Sequence, residues 1–528
     1  MTGDLQGRRA VAATIAAVRG PALVLLAAAL AALACPGVAG AAGTVLVLDA
    51  QGRVHARVDP FLPPPDPLPT RPPRALADAP RGARAGAAAQ PQRTVPSELD
   101  AMLGAGFIDQ ADHDAWADDY RNATTTLEKL HGIRRRQLAA VIANTRAMAA
   151  GGLLVASRAP GVFQTLERNR AWWAAAPLLR PSQRVAFAGS QLVWQYYPGQ
   201  GLQVQWLGTF GKANGLFKAR NRDAELHALL DEALSLAGAR AGGIAWESLF
   251  GFDGGRPPWV SALSQGTAIQ AITRAAVRFQ DPRLFAAARS ALGIFHAPPP
   301  EGVLVPTAVG AHYLQYSFAP NLHILNGFIQ SLNGLHDFAA LANDADGRAL
   351  FAAGEAEARV EVPTFDTGAW SLYSQPGTES DLSYHVLLRD FLQGLCDRLR
   401  TDAAKAQQPV AGGTPAAPVP DPALYCDTAT RFTAYLRQPP VLALLPTTVR
   451  VRRPSRVLFN LNKRSTVTLT LLRAGQPVLT KTESFGYGRR AIAFRPGRRG
   501  PLELRLRAVD PAGNATEATG TIEVLPAK

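Results

Sequence analysis

The sequence predicts a mainly α protein with a β module: an (α/α) toroid or incomplete barrel followed by an immunoglobulin-like β-sandwich. Three observations predict it. Apolar residues recur at helical spacing over residues 97–400, as in Leu127, Leu130, Ile133, Leu138, Ile142 and Met148. Further stripes are Ile269, Ile272, Ala276, Phe279; Ile324, Phe328, Leu332, Leu335, Phe338; and Leu388, Leu392, Leu395, Leu399. The loops between these stripes are dense in aromatics, Gly and Pro, as at 194–201 (WQYYPGQG), 254–259 (GGRPPW) and 365–370 (FDTGAW). Helix pairs joined by such loops suit a toroid whose loops line a cleft at one end, where aromatic rings stack on sugar faces. From about residue 440 the period changes to two, as in Thr466–Leu471 and Leu502–Arg507. That span, about 88 residues, is the size of one immunoglobulin-like sandwich.

The remaining segments follow in order. Residues 1–42 place Arg8, Arg9 and Arg19 before the apolar run Pro21–Ala34 and then a series of small residues, the order of a secretory signal peptide. Residues 43–60 alternate around a Gln-Gly turn and predict a β-hairpin. Residues 61–96 are rich in Pro, Ala and Arg and predict a linker; Ser97 is the expected cap of the first helix. Residues 401–439 predict a second linker and 440–528 the sandwich. With the signal removed, Cys396 and Cys426 form an even pair in an exported chain and bracket a Pro-, Gly- and Ala-rich loop that a disulfide would close. A disulfide between them is worth roughly 3 kcal/mol by loop-closure entropy.

Composition narrows the function classes. The chain has 528 residues, 47% hydrophobic and 18% charged, a globular balance with room for two or three domains. Three Cys exclude a disulfide scaffold and a four-Cys zinc site. The net charge of +14 is uneven: residues 441–528 hold sixteen Lys and Arg against five acids. This basic face suits an anionic polymer or a contact with the cell envelope, and export argues against nucleic acid. Nucleotide-fingerprint, serine-elbow, HExxH and calcium-loop patterns are missing, so no metal and no organic cofactor is expected.

Three blocks then resemble the C-terminal catalytic domain of D-glucuronyl C5-epimerases. The first is Pro258–Gly266 (PWVSALSQG); the second is Tyr313–Pro320 (YLQYSFAP) with Ile324–Phe328 (ILNGF); the third is Phe365–Gly368 (FDTG) with Tyr373 and Tyr384-His385. The resemblance covers about residues 241–400 and implies inversion at C5 of glucuronate units in a polysaccharide, giving iduronate. That proton is α to a carboxylate. One group must remove it, another must return one to the opposite face, and the carboxylate must be neutralised. By resemblance Tyr384 is one proton-transfer group, and Tyr316 and Tyr373 oppose it or orient the sugar. Gln265, Asn326, Arg256, Trp259, His312 and His385 are the expected substrate-binding residues. The resemblance also implies a homodimer acting on an anionic, uronate-containing polysaccharide, and the signal peptide implies a protein secreted or at the cell envelope.

Two positions depart from the family pattern. A carboxylate is expected just before the first tyrosine, where this chain has Gln315, and an Arg after the middle one, where Tyr373 is followed by Ser374-Gln375-Pro376. His312, His323 and His385 are candidates for the missing base; Arg256, Arg274 and Arg389 for the missing cation. Two other readings stay open: a uronate lyase, which shares the first proton abstraction, and a non-catalytic glycan-binding protein.

Overall fold

A computed structural model describes residues 43–63, 93–407 and 419–527. The expected signal peptide, most of the first linker and the centre of the second lie outside the described residues. Among the described residues no helix is long and apolar enough to cross a membrane.

Five strands and four helices open the described chain. The strands are β1 (Thr44–Leu48), β2 (Val54–Val58), β3 (Arg184–Phe187), β4 (Trp194–Tyr197) and β5 (Gly201–Val204), paired in the order β2-β1-β3-β4-β5. The hairpin is therefore not freestanding. β1 pairs in parallel with β3, and Lys212 reaches Asp59 at 3.3 Å to fix the hairpin's end. The helices are α1 (Val95–Gly104), α2 (Gln110–Lys129), α3 (Gly132–Ala150) and α4 (Ala159–Ala175). Thr94, not Ser97, caps α1. Ser97 stands three residues in, and its hydroxyl oxygen accepts the Thr94 N–H at 2.8 Å, which completes a reciprocal capping box.

The helical body continues with α5 (Trp206–Ala219), α6 (Asp223–Ser235), α7 (Ala262–Phe279), α8 (Pro282–Ser290) and the single turn α9 (Gly293–His296). It ends with α10 (Leu325–Leu341), α11 (Ala345–Glu361), α12 (Leu382–Ala406) and α13 (Ala423–Tyr435). Helices α5, α7, α10 and α12 lie side by side in that order, and α6, α8, α11 and α13 pack outside them. Short ladders join the helices: β6 (Gly238–Arg240) with β7 (Gly243–Ala245), β8 (Leu304–Pro306) with β9 (Ala311–Tyr313), and β10 (His323–Ile324) with β11 (Leu372–Gln375) and β12 (Thr378–Glu379). The span read as a second linker thus contains α13. Leu399 and Phe432 on the two helices are fully buried, and a disulfide joins Cys396 to Cys426.

α10 is the central helix. From Leu325 to Ala339 every residue is buried, polar ones included, because α7, α11 and α12 surround it. α7 and α10 meet at glycines. A Cβ at Gly266 would lie 2.6 Å from the Ser331 Cα, and one at Gly334 would strike the Gly266 carbonyl. Further along, Asp337 of α10 accepts two hydrogen bonds from Arg398 of α12, at 2.6 and 2.9 Å, and pairs with Arg274 of α7 at 2.8 Å. Burial alone would raise the Asp337 carboxyl. The neighbouring His336, the hydrogen bonds from Arg398 and the two guanidinium charges instead hold it well below the usual carboxylate range.

The helical body is followed by a β module. Its strands are β13 (Leu442–Leu444), β14 (Val449–Arg450), β15 (Ser455–Leu461), β16 (Ser465–Arg473), β17 (Gln476–Phe485), β18 (Gly488–Phe494), β19 (Gly500–Val509) and β20 (Ala515–Leu525). They form two sheets, β13-β15-β18 and β14-β20-β19-β16-β17, with a shared core that includes Val457, Phe459, Leu469 and Leu506. Along β19, Leu502, Leu504 and Leu506 turn inward and Glu503, Arg505 and Arg507 outward, as the period of two requires.

The glycine crossing makes a stability prediction. Gly334→Ala forces α7 and α10 apart and lowers unfolding free energy by about 2–3 kcal/mol, readable as a lower denaturant midpoint. An unchanged midpoint would mean that the close approach is dispensable.

Candidate functional site

Two hollows sit at the inner helices and share Leu207 and Tyr384 on their walls. The smaller is aromatic. Tyr197, Phe250, Phe252, Trp259 and Tyr316 line it together with Gln315. Their rings fix one another: Trp259 meets Tyr316 edge-on at 5.6 Å and Phe318 at 5.4 Å, and Tyr316 stacks on Phe318 at 5.3 Å. Trp259 anchors the group by donating its indole N–H to the Phe250 carbonyl at 2.8 Å. The larger hollow, about 620 Å³, is a groove lined by inward faces of α5, α7, α10 and α12. Asn214, Gln270, Gln330 and Asn333 give it an amide floor, and Arg274 and Arg398 face it from the Asp337 cluster.

Local sequence explains why this end of the body is polar. Gln205 caps α5, Ser261 caps α7 and Asp381 caps α12, and the first turns of all three border the small hollow through Gln205, Ser261, Ser264 and Tyr384. Three helix N-termini therefore point their positive ends at one small volume. The Asp381 side chain caps α12 by accepting the Tyr384 N–H at 2.9 Å, which sets the ring's position in the first turn.

The three tyrosines expected to act are half-buried. Tyr316 and Tyr384 are on the wall of the small hollow, and Tyr373 packs on Tyr384 with ring centres 4.4 Å apart. Gln315 donates from Nε2 to the Tyr316 hydroxyl at 3.0 Å, while its Oε1 is buried without a partner. The neighbouring Gly327 is required here, since a Cβ would fall 2.6 Å from that oxygen. Trp259 also lines the hollow.

The other expected substrate-binding residues are placed differently. Gln265 is buried and gives its amide to the Ile244 and Ala291 carbonyls at 2.9 and 3.0 Å, so it ties the β7 and α8 ends to α7. Asn326 is buried in the first turn of α10, off both hollows, and Arg256 is exposed on its loop. His385 is fully buried. Its ring stacks on Trp370 at 3.8 Å, its Nε2 donates to the Phe432 carbonyl, and its Nδ1 accepts the Ser371 N–H. Burial first, then the Lys463 and Arg389 charges, push His385 down to about 4, so it is a neutral structural histidine. His312 is fully buried as well, and its Nδ1 faces Glu361, which also takes His323. Of the candidate cations, Arg389 pairs with Asp390, and Arg274 borders the larger groove while bound to Asp337.

Sequence reasoning missed Phe250, Phe252 and Gln205 as wall residues and Glu361 as the partner of two histidines. Phe250 and Phe252 stand just before Gly254-Gly255, in a loop type already marked by its aromatics, so a signal was present. Nothing local marks Glu361, whose partners are 38 and 49 residues away.

Residues 243–405 match the family model described as D-glucuronyl C5-epimerase C-terminus. A D-glucuronyl C5-epimerase of Caenorhabditis elegans is 33% identical over 162 residues, which cover 26% of this chain and 26% of that protein. An uncharacterized protein of Methanocaldococcus jannaschii is 26% identical over 136 residues, 25% of this chain and 44% of that one. The match thus spans about a quarter of the worm protein's length. The family resemblance carried by the three blocks holds over residues 243–405. Among solved structures, an endo-β-1,4-glucanase from Acetobacter xylinum aligns over 50% of this chain and 94% of its own at 12% identity, with a TM-score of 0.26, too slight a likeness to bear on the fold.

The burial of His385 makes a pH prediction. The unfolded chain protonates this residue near its ordinary 6.5 and the folded chain near 4. Its contribution is full above pH 6.5 and is lost as pH falls towards 4, by roughly 3 kcal/mol. Between pH 7 and 4.5 the urea midpoint of the wild type should fall further than that of His385→Gln. Equal falls would show that the ring titrates normally.

Proposed function

We propose that this protein is a polysaccharide uronate C5-epimerase, converting D-glucuronate to L-iduronate units. The observation that carries the proposal is the convergence of Tyr316, Tyr384 and three helix N-termini on one aromatic hollow within the family-matched architecture. Two phenols on one cavity wall can address a sugar ring from different sides. One, as phenolate, takes the C5 proton, and the other returns a proton to the opposite face. Tyr384 is the first of these and Tyr316 the second, with Tyr373 holding the Tyr384 ring in place.

The departures from the family pattern then have a physical reading. Developing charge on the substrate carboxylate must be stabilised, and the expected Arg after Tyr373 is missing. Helix N-termini supply backbone N–H donors and partial positive charge, which suits a carboxylate. Gln315 is no base, but its amide donates to the Tyr316 oxygen and so stabilises the phenolate that Tyr316 becomes once it has given up its proton. The larger groove gives neighbouring sugars of a chain amide hydrogen-bond partners.

The rest of the proposal concerns setting. The side-by-side inner helices with outer partners support an incomplete (α/α) toroid, and the two facing sheets an immunoglobulin-like module. A substrate that is an anionic envelope polysaccharide, met after export through a signal peptide, fits the basic β module. The reading also takes the protein to act as a homodimer. A second reading, a glycan-binding protein that has lost catalysis, is favoured by one observation: Gln315 where the family carries a carboxylate.

The test is solvent exchange. Purified protein with glucuronate-containing polysaccharides in heavy water should place deuterium at C5 with chains intact. Tyr384→Phe should reduce this at least about 100-fold, and full activity in that variant would remove Tyr384 from the mechanism. An unsaturated product with shortened chains would make the enzyme a lyase. If the wild type binds such a polymer without exchange and Gln315→Glu exchanges, the chain is a binding protein descended from an enzyme.

A further inference from the structure

His312, His323 and Glu361 form a side-chain cluster that the proposed reaction does not use. They come from three elements: β9, β10 and the last residue of α11. One ligand-type atom from each, the two imidazole Nδ1 atoms and a carboxylate oxygen, lie within 4.8 Å of one another. His323 Nδ1 is 2.8 Å from Glu361 Oε1. His312 Nδ1 is 3.0 Å from both carboxylate oxygens, so it faces the middle of the carboxylate and not one lone pair. The two rings lie nearly parallel, with centres 4.1 Å apart, and present the same edge to the same acid.

We propose that these three residues form a binding site for a divalent transition metal of the zinc type. Two neutral imidazoles and one carboxylate are a donor set that zinc prefers over calcium or magnesium. With metal–ligand distances of about 2.0–2.1 Å, tetrahedral ligand atoms stand about 3.3 Å apart, so the His323–Glu361 and His312–Glu361 spacings of 2.8 and 3.0 Å need to open by only a few tenths of an ångström. His312 is fully buried and Glu361 nearly so, and His323 is half-buried, which leaves an approach from one side.

The site has a structural task. His312 precedes and His323 follows the loop that carries Gln315, Tyr316 and Phe318. A metal held by both, and by Glu361 at the end of α11, closes that loop at its base. It would set the Tyr316 position without touching substrate, and its binding does not depend on what the hollow does.

The experiment uses the full untagged chain, stripped with a chelator, re-titrated with zinc chloride and dialysed. Elemental analysis should find one zinc per chain, with calcium and magnesium failing to compete, and zinc should raise the melting temperature of the stripped protein by several degrees. Glu361→Gln and the half-buried His323→Ala should each lose the bound zinc. Their melting temperatures without metal should show that the variants are folded. A wild type that keeps well under one zinc per chain, or variants that keep it fully, would overturn the site. Cobalt in place of zinc provides a second readout, since a visible absorption band from a tetrahedral site should appear in the wild type and vanish in Glu361→Gln.

Discussion

The close approach of α7 and α10 at Gly266 and Gly334 is the constraint on which the rest of the body depends. At this crossing neither helix tolerates a side chain, so their backbones meet directly. That contact puts the crossing inside the stack, and α5 and α12 flank it on either side. With the inner helices in this arrangement, the starts of α5, α7 and α12 fall at one end. A wider spacing would enlarge the amide-lined groove and move Tyr384 away from Tyr316. The chemistry proposed for the small hollow is therefore a consequence of where two glycines sit, 68 residues apart in the sequence.

Electrostatics follows the same axis. At one end the helix N-termini each have one first-turn N–H satisfied by the Gln205, Ser261 and Asp381 caps. Along the groove the charges are instead paired: Asp337 takes Arg274 and Arg398, and His336 takes Asp402. A buried carboxylate with two guanidinium partners is costly to break and adds rigidity where three helices meet. The Arg274 and Arg398 charges are largely cancelled by Asp337. Among the described residues that line the small hollow there is no acidic side chain.

Much of this was legible in the sequence. The period of 3.6 through residues 262–279, 325–341 and 382–406 and the period of two after residue 440 mark helices and strands because each follows from which face is buried. The caps of two of these helices, Ser261 and Asp381, were not read from the sequence and come from the structure. α10 was only partly legible: its apolar stripe is real, but Asn326, Gln330 and Asn333 are buried too, since that helix is enclosed on several sides. Gln265, His312 and His385 are polar residues beside family blocks, and proximity in sequence could not tell a cavity wall from a structural hydrogen bond. That distinction rests on partners such as the Ala291 carbonyl, Glu361 and Phe432, which only the fold brings near. α13 was hidden inside a Pro- and Ala-rich span because its start has no polar cap.

The β module is bound into the same framework. Glu379, two residues before the Asp381 cap, accepts the Arg464 N–H at 2.6 Å and the Tyr487 N–H at 2.7 Å, both from the module. Lys463, fully buried, pairs with Asp510 at 2.7 Å, donates to the Tyr435 carbonyl and lies over the Trp370 ring at 5.3 Å. Trp370 in turn stacks on His385, the residue after Tyr384. Asn514 adds a hydrogen bond to the Leu436 carbonyl at 2.9 Å. The module thus grips the β12–α12 corner from two sides. A tail that only tethered the body would need none of these buried polar contacts, each of which is expensive to desolvate unless its partner is held in place. The position of the Tyr384 ring is consequently set by the β module as well as by the helices.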